Sequence, residues 1–468
     1  MRIALIQCPA FGIDRPPLAL GYLAAFVRRH GFVTKVFDLN INLYFQAKDE
    51  DRKFWEFKYV DKWITGDIFL KEKFIPEDFF KDWAKEILVS DPEIIGFSVH
   101  CTSLAASINL AREIKRINPN KIIVFGGPLY FSYNIPEYAC GLAQKGDDSG
   151  FTVVDIIVIG EGEETFLDLL QRLKNNIPLE SCPGIVYKKD NRIINNGLRL
   201  LMGNLDTLPF PEFDGFPKQY KYKNRLPILG SRGCIRRCVF CDDALTWDFY
   251  RARSAENIIE EMELRKKEGV EFLDFNDLLI NGNLRQLSRL CDLIIKKGLD
   301  IPWGGSASIN KHMDLAFFKK LKRSGCIYLN YGIESAAAKV LSAMNKGFSI
   351  QEAKKVIEDT YKAGIAVSTN WIVGFPNETE DDFKETLNFI QDNIYYFKNG
   401  VMINSFILKS NSPLYKNKEK FGIVMDSQGN WQSLAGLNTT AERKKRYDAF
   451  IKLLSNLGDR PSQEMFNK

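Results

Sequence analysis

Short apolar runs recur along this chain, and amphipathic helical patterns separate most of them. In the N-terminal third the runs are Ile3–Gln7, Val33–Asp38, Glu93–Val99, Lys121–Phe125 and Asp155–Ile159. Short apolar strands that alternate with helices are typical of parallel sheets, because the connecting helices cover both faces of the sheet. The pattern therefore predicts an α/β fold that begins with a doubly wound, Rossmann-like domain.

A second series of the same kind begins after residue 223. Its apolar runs are Leu226–Gly230, Phe272–Phe275, Pro302–Ser308, Ile327–Ile333, Ile365–Val373 and Gly400–Ile407. Six strand–helix units in succession indicate a parallel barrel, either partial or complete. We predict a partial (β/α)6 barrel that is followed by a small, α-rich C-terminal extension.

The length of the chain, 468 residues, exceeds what one hydrophobic core supports, since single cores stop growing at about 250–300 residues. The predicted domains are residues 1–180, a linker over 181–223, the barrel over 224–408 and the extension over 409–468. Residues 42–89 form an insertion in the first domain that is rich in aromatic side chains. These rings either pack into the core or line a lid over a cavity for an apolar ligand. The extension either closes the barrel mouth or serves as a docking surface.

The charge of the chain is mild, with 64 basic and 59 acidic residues and a net charge of +5. No long basic run is present, so we expect no nucleic-acid partner. No apolar stretch reaches the length of a membrane span, which is about 18 residues. Met1 leads into a strand pattern rather than a signal peptide. Nine cysteines, three of them clustered, suit a metal site in a reducing compartment, and we expect a cytoplasmic protein.

The clustered cysteines are Cys234, Cys238 and Cys241, in a loop that follows the first strand of the predicted barrel. Three thiolates are one fewer than the four that complete a 4Fe–4S cluster, so one iron would stay open to a cofactor or substrate. A structural zinc site is the alternative, but it usually takes four N/S ligands in paired units. No second cysteine pair is present, and the histidines are only His30, His100 and His312. The six scattered cysteines suit small core residues; they are Cys8, Cys101, Cys140, Cys182, Cys291 and Cys326.

Small and polar residues follow the predicted strands, at the edge where doubly wound sheets and barrels bind ligands. In the first domain these residues are Ser98, Thr102, Ser103, Gly126, Gly127, Gly160 and Glu161. In the barrel they are Asn276, Asp277, Ser306, Ser308, Glu334, Ser335 and Gly374, on the same mouth as the cysteine loop. The glycines allow a large ligand to approach the backbone, or they serve tight turns only.

The cysteine motif Cys-x-x-x-Cys-x-x-Cys, with the aromatic Phe240 before its last cysteine, resembles that of the radical S-adenosylmethionine (SAM) enzymes. The runs Gly332–Ser335 and Asn370–Thr379 are also similar to segments of that family. The N-terminal third, with Gly126-Gly-Pro and Gly160-Glu-Gly-Glu, resembles the cobalamin (B12)-binding domain that is fused to one large branch of it. The resemblance covers residues 1–410.

The resemblance implies three cofactors: a 4Fe–4S cluster, SAM and cobalamin. Cys234, Cys238 and Cys241 would hold the cluster, and its open iron would chelate the amino and carboxylate groups of SAM. One electron from the cluster would cleave SAM, and the resulting 5′-deoxyadenosyl radical would abstract hydrogen from an unactivated carbon. The SAM contacts would be Phe240, Asn276, Asp277, Ser308, Glu334, Ser335 and Gly374. The cobalamin contacts would be Ser98, Thr102, Ser103, Gly126, Gly127, Gly160 and Glu161.

Two departures from the family pattern concern these contacts. Many cobalamin proteins carry a histidine after the first strand that ligates cobalt from below, whereas the loop Cys8–Pro17 has none. We therefore expect that no protein histidine holds the lower face of the cobalamin. Many relatives also have an arginine at the end of the third barrel strand, where this chain has Ser306-Ala-Ser308.

The function that the resemblance implies is that of a cobalamin-dependent radical SAM C-methyltransferase. The alternative is a radical SAM enzyme of the same architecture that catalyses a rearrangement or an oxidative cyclisation. A methylthiotransferase is disfavoured because the N-terminal third has no second set of three cysteines. A cobalamin or SAM sensor that has lost the chemistry is the non-enzymatic alternative. The expected partners are a small-molecule or peptide substrate and an external electron donor of the flavodoxin or ferredoxin type.

Overall fold

The computed structural model describes residues 1–64, 69, 79–130, 153–190, 192–426 and 430–458. These residues form two compact units, one over Met1–Lys223 and one that begins at Asn224. Each unit is built around its own sheet, which is mixed in the first unit and parallel in the second. The α/β class that the sequence predicts is confirmed.

The first unit contains a seven-stranded sheet with the order β2-β1-β3-β4-β5-β6-β7. The strands are β1 Arg2–Gln7, β2 Val33–Asp38, β3 Ile94–Ser98, β4 Ile122–Gly126, β5 Ile156–Val158, β6 Ile185–Lys189 and β7 Arg192–Asn195. Strands β1 to β5 are parallel, and β6 and β7 add an antiparallel hairpin at one edge. The segment 181–223, which we expected to be a linker, therefore includes two strands of this sheet. The apolar pattern of these two strands was obscured because both strands contain charged residues.

Helices cover both faces of this sheet, as a doubly wound topology requires. They span Leu18–Arg29, Leu39–Gln46, Val60–Ile64, Phe79–Val89, Leu104–Ile117 and Gly162–Asn175. Two apolar cores result, one on each face. Because β1 lies between β2 and β3, the strand order reverses between β1 and β3, and their carboxyl ends flank the crevice where such sheets bind ligands.

The aromatic insertion packs into one of these cores wherever the structure describes it. The rings of Phe54, Trp55, Trp63, Phe80 and Trp83 are all buried. Burial of such large rings removes much apolar surface from water, which is the main stabilisation that the insertion gains on folding. The core-packing interpretation is confirmed for these rings, while residues 65–68 and 70–78 lie outside the described residues.

The second unit contains a six-stranded sheet with the order β15-β14-β13-β12-β11-β8, and all its pairs are parallel. The strands are β8 Arg225–Ile228, β11 Phe272–Phe275, β12 Trp303–Ala307, β13 Cys326–Glu334, β14 Ala366–Val373 and β15 Val401–Ser405. A short antiparallel pair, β9 Ser231–Arg232 and β10 Arg251–Ala252, follows β8. The partial barrel is confirmed, and the carboxyl ends of its six strands share one edge.

The helices of this unit are Asp243–Thr246, Ala255–Lys267, Leu284–Lys297, Leu315–Arg323, Ala338–Ala343, Ile350–Lys362 and Glu380–Asn393. Most of them pack on the sheet through one large apolar core. Their starts follow local sequence signals, because side-chain caps satisfy backbone N–H groups that the first turn leaves unpaired. Ser254, for example, accepts a 3.1 Å hydrogen bond from the N–H of Asn257 at the start of the helix Ala255–Lys267.

The C-terminal extension contains a hairpin as well as the expected helices. A short helix at Pro413–Lys416 and a 17-residue helix at Thr440–Asn456 flank an antiparallel hairpin of β16 Ile423–Met425 and β17 Trp431–Ser433. The helix Thr440–Asn456 packs against β15, β14 and the helix Glu380–Asn393. Among the described residues, no helix combines the length and apolarity that crossing a membrane requires.

Candidate functional site

The cysteine loop leaves the carboxyl end of β8, and Asp277 braces its first residues. One carboxylate oxygen of Asp277 accepts a 2.9 Å hydrogen bond from the N–H of Gly230, and the other accepts from the hydroxyl of Ser231. Burial raises the pKa of Asp277 to about 7. We expected Asp277 to contact the amino end of SAM, whereas both its oxygens are engaged by the base of the loop. Its neighbour Asn276 is exposed at the same strand end.

The three clustered cysteines are partly or wholly buried, Cys238 most of all. Burial raises the pKa of each thiol, so in the free protein the thiols keep their protons at neutral pH. Among the described residues, the three sulfurs are not a group within 4.8 Å of one another. A mononuclear site would require closer sulfurs, about 3.8 Å apart for zinc–sulfur bonds of about 2.3 Å. Three separate thiolates fit an iron–sulfur cluster, in which each cysteine binds a different iron.

Arg236, between the first two of these cysteines, fastens the loop to the end of β12 and to the segment between the helices Ala338–Ala343 and Ile350–Lys362. Its Nε donates to the Oγ of Ser308 at 2.7 Å, and its other nitrogens donate to the carbonyls of Ile309 and Gly347. Its backbone N–H also donates to the sulfur of Cys234 at 3.3 Å. An arginine therefore does reach the end of β12, but it belongs to the cysteine loop rather than to the strand. The hydroxyl of Ser308 accepts the hydrogen bond that this arginine donates.

Glu334 and Lys346 form a nearly buried ion pair beside Phe240. The Nζ of Lys346 lies 3.3 Å from Oε1 of Glu334 and 5.7 Å from the centre of the Phe240 ring. Glu334 has a φ of +74°, a left-handed conformation that side-chain-bearing residues seldom adopt. This turn directs its carboxylate over Gly332, where an added Cβ would come within 2.6 Å of Oε1. The pair offers one negative and one positive group, which suits a ligand that carries an ammonium and a carboxylate.

Ser335 and Gly374, the remaining predicted SAM contacts, lie after β13 and β14. The Ser335 hydroxyl is fully buried and accepts from the N–H of Ala337, so it serves the start of the next helix. Gly374 has a φ of +82°, and its N–H donates to Oε2 of Glu378 at 2.7 Å. Sequence reasoning gave no role to Arg236, Lys346 or Glu378, although Arg236 lies within the cysteine motif and Glu378 within the run Asn370–Thr379.

The predicted cobalamin contacts lie together at the carboxyl ends of β3, β4 and β5. Three of them bond within the protein: Thr102 donates to the carbonyl of Ala10 at 2.7 Å, Ser103 bonds to the backbone of His100, and Glu161 accepts from the N–H of Met202 at 2.9 Å. Gly127 has a φ of +103°, and a Cβ there would lie 2.7 Å from the N of Val99. This glycine is needed for backbone packing. The other members are Ser98, Gly126 and Gly160.

His100 also lies at this edge, which the sequence did not lead us to expect. Its ring centre is 4.7 Å from that of Phe11, in the loop where we noted the absence of a histidine. Burial lowers the pKa of His100 to about 4, so the ring is neutral at physiological pH. Most of the remaining cysteines follow expectation, since Cys8, Cys182, Cys291 and Cys326 are buried. Cys101 is exposed and does not, and Cys140 lies outside the described residues.

Residues 228–390 match the model of the radical SAM superfamily. The chain is 30% identical over 404 residues to an uncharacterized methyltransferase of Pyrococcus horikoshii, which covers 83% of this chain and 77% of the relative. It is also 26% identical over 332 residues to an anaerobic magnesium-protoporphyrin IX monomethyl ester cyclase of Rubrivivax gelatinosus, over 67% of this chain and 57% of that relative.

Among solved structures, the fold is similar to that of the radical S-adenosylmethionine methyltransferase TsrM from Kitasatospora setae, determined with cobalamin and a 4Fe–4S cluster bound. The TM-score is 0.70, and the match covers 97% of this chain and 88% of that chain. The two sequences are only 15% identical over the match. The likeness therefore shows a shared fold across both units.

Proposed function

Because the chain belongs to the cobalamin-binding-domain family of radical SAM enzymes, we propose that it methylates an unactivated carbon of its substrate. The observation that carries the radical step is the three-cysteine loop, held at the strand-end mouth of the barrel beside the Glu334–Lys346 pair. The methylation is supported by the names of the relative from Pyrococcus horikoshii and of the structural neighbour TsrM, both methyltransferases.

We propose that Cys234, Cys238 and Cys241 hold a 4Fe–4S cluster and that SAM binds at its open iron. The bound cluster supplies the electron that cleaves SAM to methionine and a 5′-deoxyadenosyl radical, which takes a hydrogen atom from the substrate. Glu334 would pair with the SAM ammonium and Lys346 with its carboxylate, since buried charges require partners. Phe240 and Gly374 would flank the adenosine.

We propose that residues 1–180 bind cobalamin at the carboxyl ends of β3, β4 and β5. When bound, the cobalamin would supply the methyl group, and a second SAM would restore it with release of S-adenosylhomocysteine after the external donor has returned one further electron to the cobalamin. The site is supported by the strand-order reversal between β1 and β3, which is where doubly wound sheets bind cofactors. Thr102 ties the loop that holds Phe11 to the end of β3, which would preform one wall of the site.

The second candidate function is a radical rearrangement or oxidative cyclisation on the same architecture. The similarity to the cyclase of Rubrivivax gelatinosus favours it, although the chain spans only 57% of that relative. An external one-electron donor of the flavodoxin or ferredoxin type is part of both proposals. The electron that cleaves SAM must come from outside the chain in either case.

The two products of SAM separate these functions. The protein is reconstituted anaerobically with iron, sulfide and cobalamin, reduced, and supplied with SAM and candidate substrates. Methylation predicts 5′-deoxyadenosine together with S-adenosylhomocysteine and a product that gains a methyl group. A Cys238→Ala variant is the control, and it is expected to lose 5′-deoxyadenosine while it still binds cobalamin.

Substrate-dependent 5′-deoxyadenosine without S-adenosylhomocysteine would reject methylation and favour the second candidate. Neither product, from protein that carries a full cluster, would contradict the radical SAM proposal itself.

A further inference from the structure

The turn that follows β14 is closed by the side chain of its own last residue. Glu378 accepts from the N–H of Gly374 at 2.7 Å through Oε2, and its own N–H donates to the carbonyl of Phe375 at 2.8 Å. Gly374 needs its positive φ for this closure, a conformation that glycine adopts without a steric penalty. The turn places the backbone of Gly374 at the mouth of the barrel.

The Glu378 carboxylate that closes the turn is buried, and its charged partner is Arg446, 68 residues later in the chain. Glu378 is 1% exposed, and the Nη1 of Arg446 lies 3.1 Å from its Oε2. Arg446 is itself 3% exposed and lies on the helix Thr440–Asn456. A buried carboxylate is costly without a charged partner, and removal of one member of such a pair leaves the other uncompensated. The conformation of the turn therefore depends on this helix.

Asn438 binds the backbone of the same turn. Its Nδ2 donates to the carbonyls of Phe375 at 2.8 Å and Glu378 at 3.0 Å, and its Oδ1 accepts from Nη1 of Arg446 at 2.6 Å. Asn438 is fully buried. One amide thus joins the two ends of the turn to the arginine that pairs with its carboxylate.

Arg443, one helical turn before Arg446, packs its aliphatic stem on Gly374. A Cβ on this glycine would lie 2.3 Å from Cγ of Arg443. The Arg443 guanidinium stacks 3.9 Å from the centre of the Trp431 ring and donates to the carbonyl of Asn438 at 2.8 Å. Arg443 therefore connects the hairpin of β16 and β17, the helix Thr440–Asn456 and the turn Gly374–Glu378.

We propose that Arg446 and Asn438 are positioning residues for SAM, so that the C-terminal extension completes the cofactor site by fixing the turn Gly374–Glu378. The proposal rests on the proposed function, in which Gly374 flanks the adenosine of SAM. The extension then influences SAM binding indirectly, because it holds the turn Gly374–Glu378 in place. Neither Arg446 nor Asn438 needs to touch the cofactor.

The test compares SAM affinity with cluster content in reconstituted full-length protein. Arg446→Met removes the charge and the hydrogen bonds to Glu378, Glu380 and Asn438, while Arg446→Lys keeps the charge but replaces the planar guanidinium by a single ammonium group. Lys445→Met is the matched control, because Lys445 is on the same helix with a side chain that is 71% exposed. The dissociation constant of SAM is measured anaerobically by equilibrium dialysis and normalised to cluster iron.

We expect Arg446→Met to weaken SAM binding at least about tenfold, equivalent to about 1.4 kcal/mol, with cluster iron unchanged. Arg446→Lys should fall between this variant and the wild type, and Lys445→Met should match the wild type. A purely structural role would lower the melting temperature but leave the affinity per cluster unchanged, and that result overturns the proposal. Should Arg446→Met fail to fold, the same affinity in Arg446→Lys as in the wild type overturns it. Wild-type protein that carries the cluster and does not bind SAM would instead reject the proposed function.

Discussion

The Nε of Arg236 donates a 2.7 Å hydrogen bond to the Oγ of Ser308, which ties the cysteine loop to the end of β12. The same guanidinium donates to the carbonyl of Ile309, just after β12, and to that of Gly347, between the helices Ala338–Ala343 and Ile350–Lys362, so one side chain holds the loop at two places. A loop that supplies metal ligands must be held in place before the metal arrives, because disorder of the ligands opposes binding.

Arg236→Met is expected to reduce the stability of the bound cluster. It removes three hydrogen bonds from a charged donor, each worth about 1.5–3 kcal/mol in favourable cases. The measurement is the rate at which a chelator bleaches the cluster absorbance of the reconstituted protein. Ser308→Ala removes only one of the bonds and should give a smaller increase in that rate. Equal rates in Arg236→Met and the wild type would contradict the anchoring role.

Each of the three clustered cysteines should be required for the cluster, and the scattered ones should not. Cys241→Ala is expected to abolish both cluster absorbance and 5′-deoxyadenosine formation. Cys291→Ala is the matched control, because Cys291 is buried in the barrel core and bonds only to Ser324 among the described residues. It should retain the cluster with a modest loss of melting temperature. Iron content per chain, measured after reconstitution, distinguishes the two outcomes.

Gly332→Ala should weaken SAM binding without loss of the cluster. The new Cβ would lie 2.6 Å from Oε1 of Glu334, so the carboxylate must move away from its place beside Lys346. A dissociation constant raised about 10- to 100-fold corresponds to about 1.4–2.8 kcal/mol. Gly203→Ala, where nothing lies within 4 Å of an added Cβ, is the control. Unchanged SAM affinity in Gly332→Ala would argue that Glu334 does not contact SAM.

The free energy of unfolding of the first unit should fall as the pH rises from about 4 to about 6, because of the buried carboxyl group of Asp38. Burial raises its pKa from 3.8 to about 6, although the hydroxyl of Tyr220 and the N–H of Ile41 both donate to it. The folded chain then holds a proton that the unfolded chain has released, so the free energy of unfolding falls through this window. The loss relative to Asp38→Asn is on the order of 3 kcal/mol.

Urea unfolding of the wild type and Asp38→Asn at pH 4, 5, 6 and 7 measures this difference. Asparagine retains the helix cap that Asp38 provides, so the two proteins should differ mainly in the titration. Parallel pH profiles for the two proteins would show that the Asp38 carboxyl keeps its ordinary pKa in the folded state.

The strand series was readable in the sequence because buried parallel strands are short, apolar and separated by helices with their own caps. Phe272–Phe275 was predicted at its observed bounds. The hairpin of β6 and β7 was missed because both strands carry charges and β7, the edge strand, is largely exposed. Edge strands lack the continuous apolar run that marks a central strand.

The cysteine spacing alone suggested the three proposed cluster ligands, since ligands within one short loop are adjacent in sequence as well as in space. The pairing of the charged groups around the site could not be predicted in this way. Asp277 came from the correct strand end but serves the loop, and Lys346 joins Glu334 across 12 residues. A pattern of strand ends predicts which residues share an edge, but it leaves undetermined which polar atoms are already paired.

The sequence by itself determined the fold class and led to the proposal of three cluster cysteines, because alternation, loop position and ligand spacing are local properties of the chain. Only the tertiary structure decided what holds the site in shape. Arg446 lies 68 residues after Glu378, and the two meet because the helix Thr440–Asn456 packs beside β14 and β15. Burial then makes the pairing necessary, since a lone carboxylate there would be too costly. Such partners are fixed by packing, which no local sequence pattern encodes.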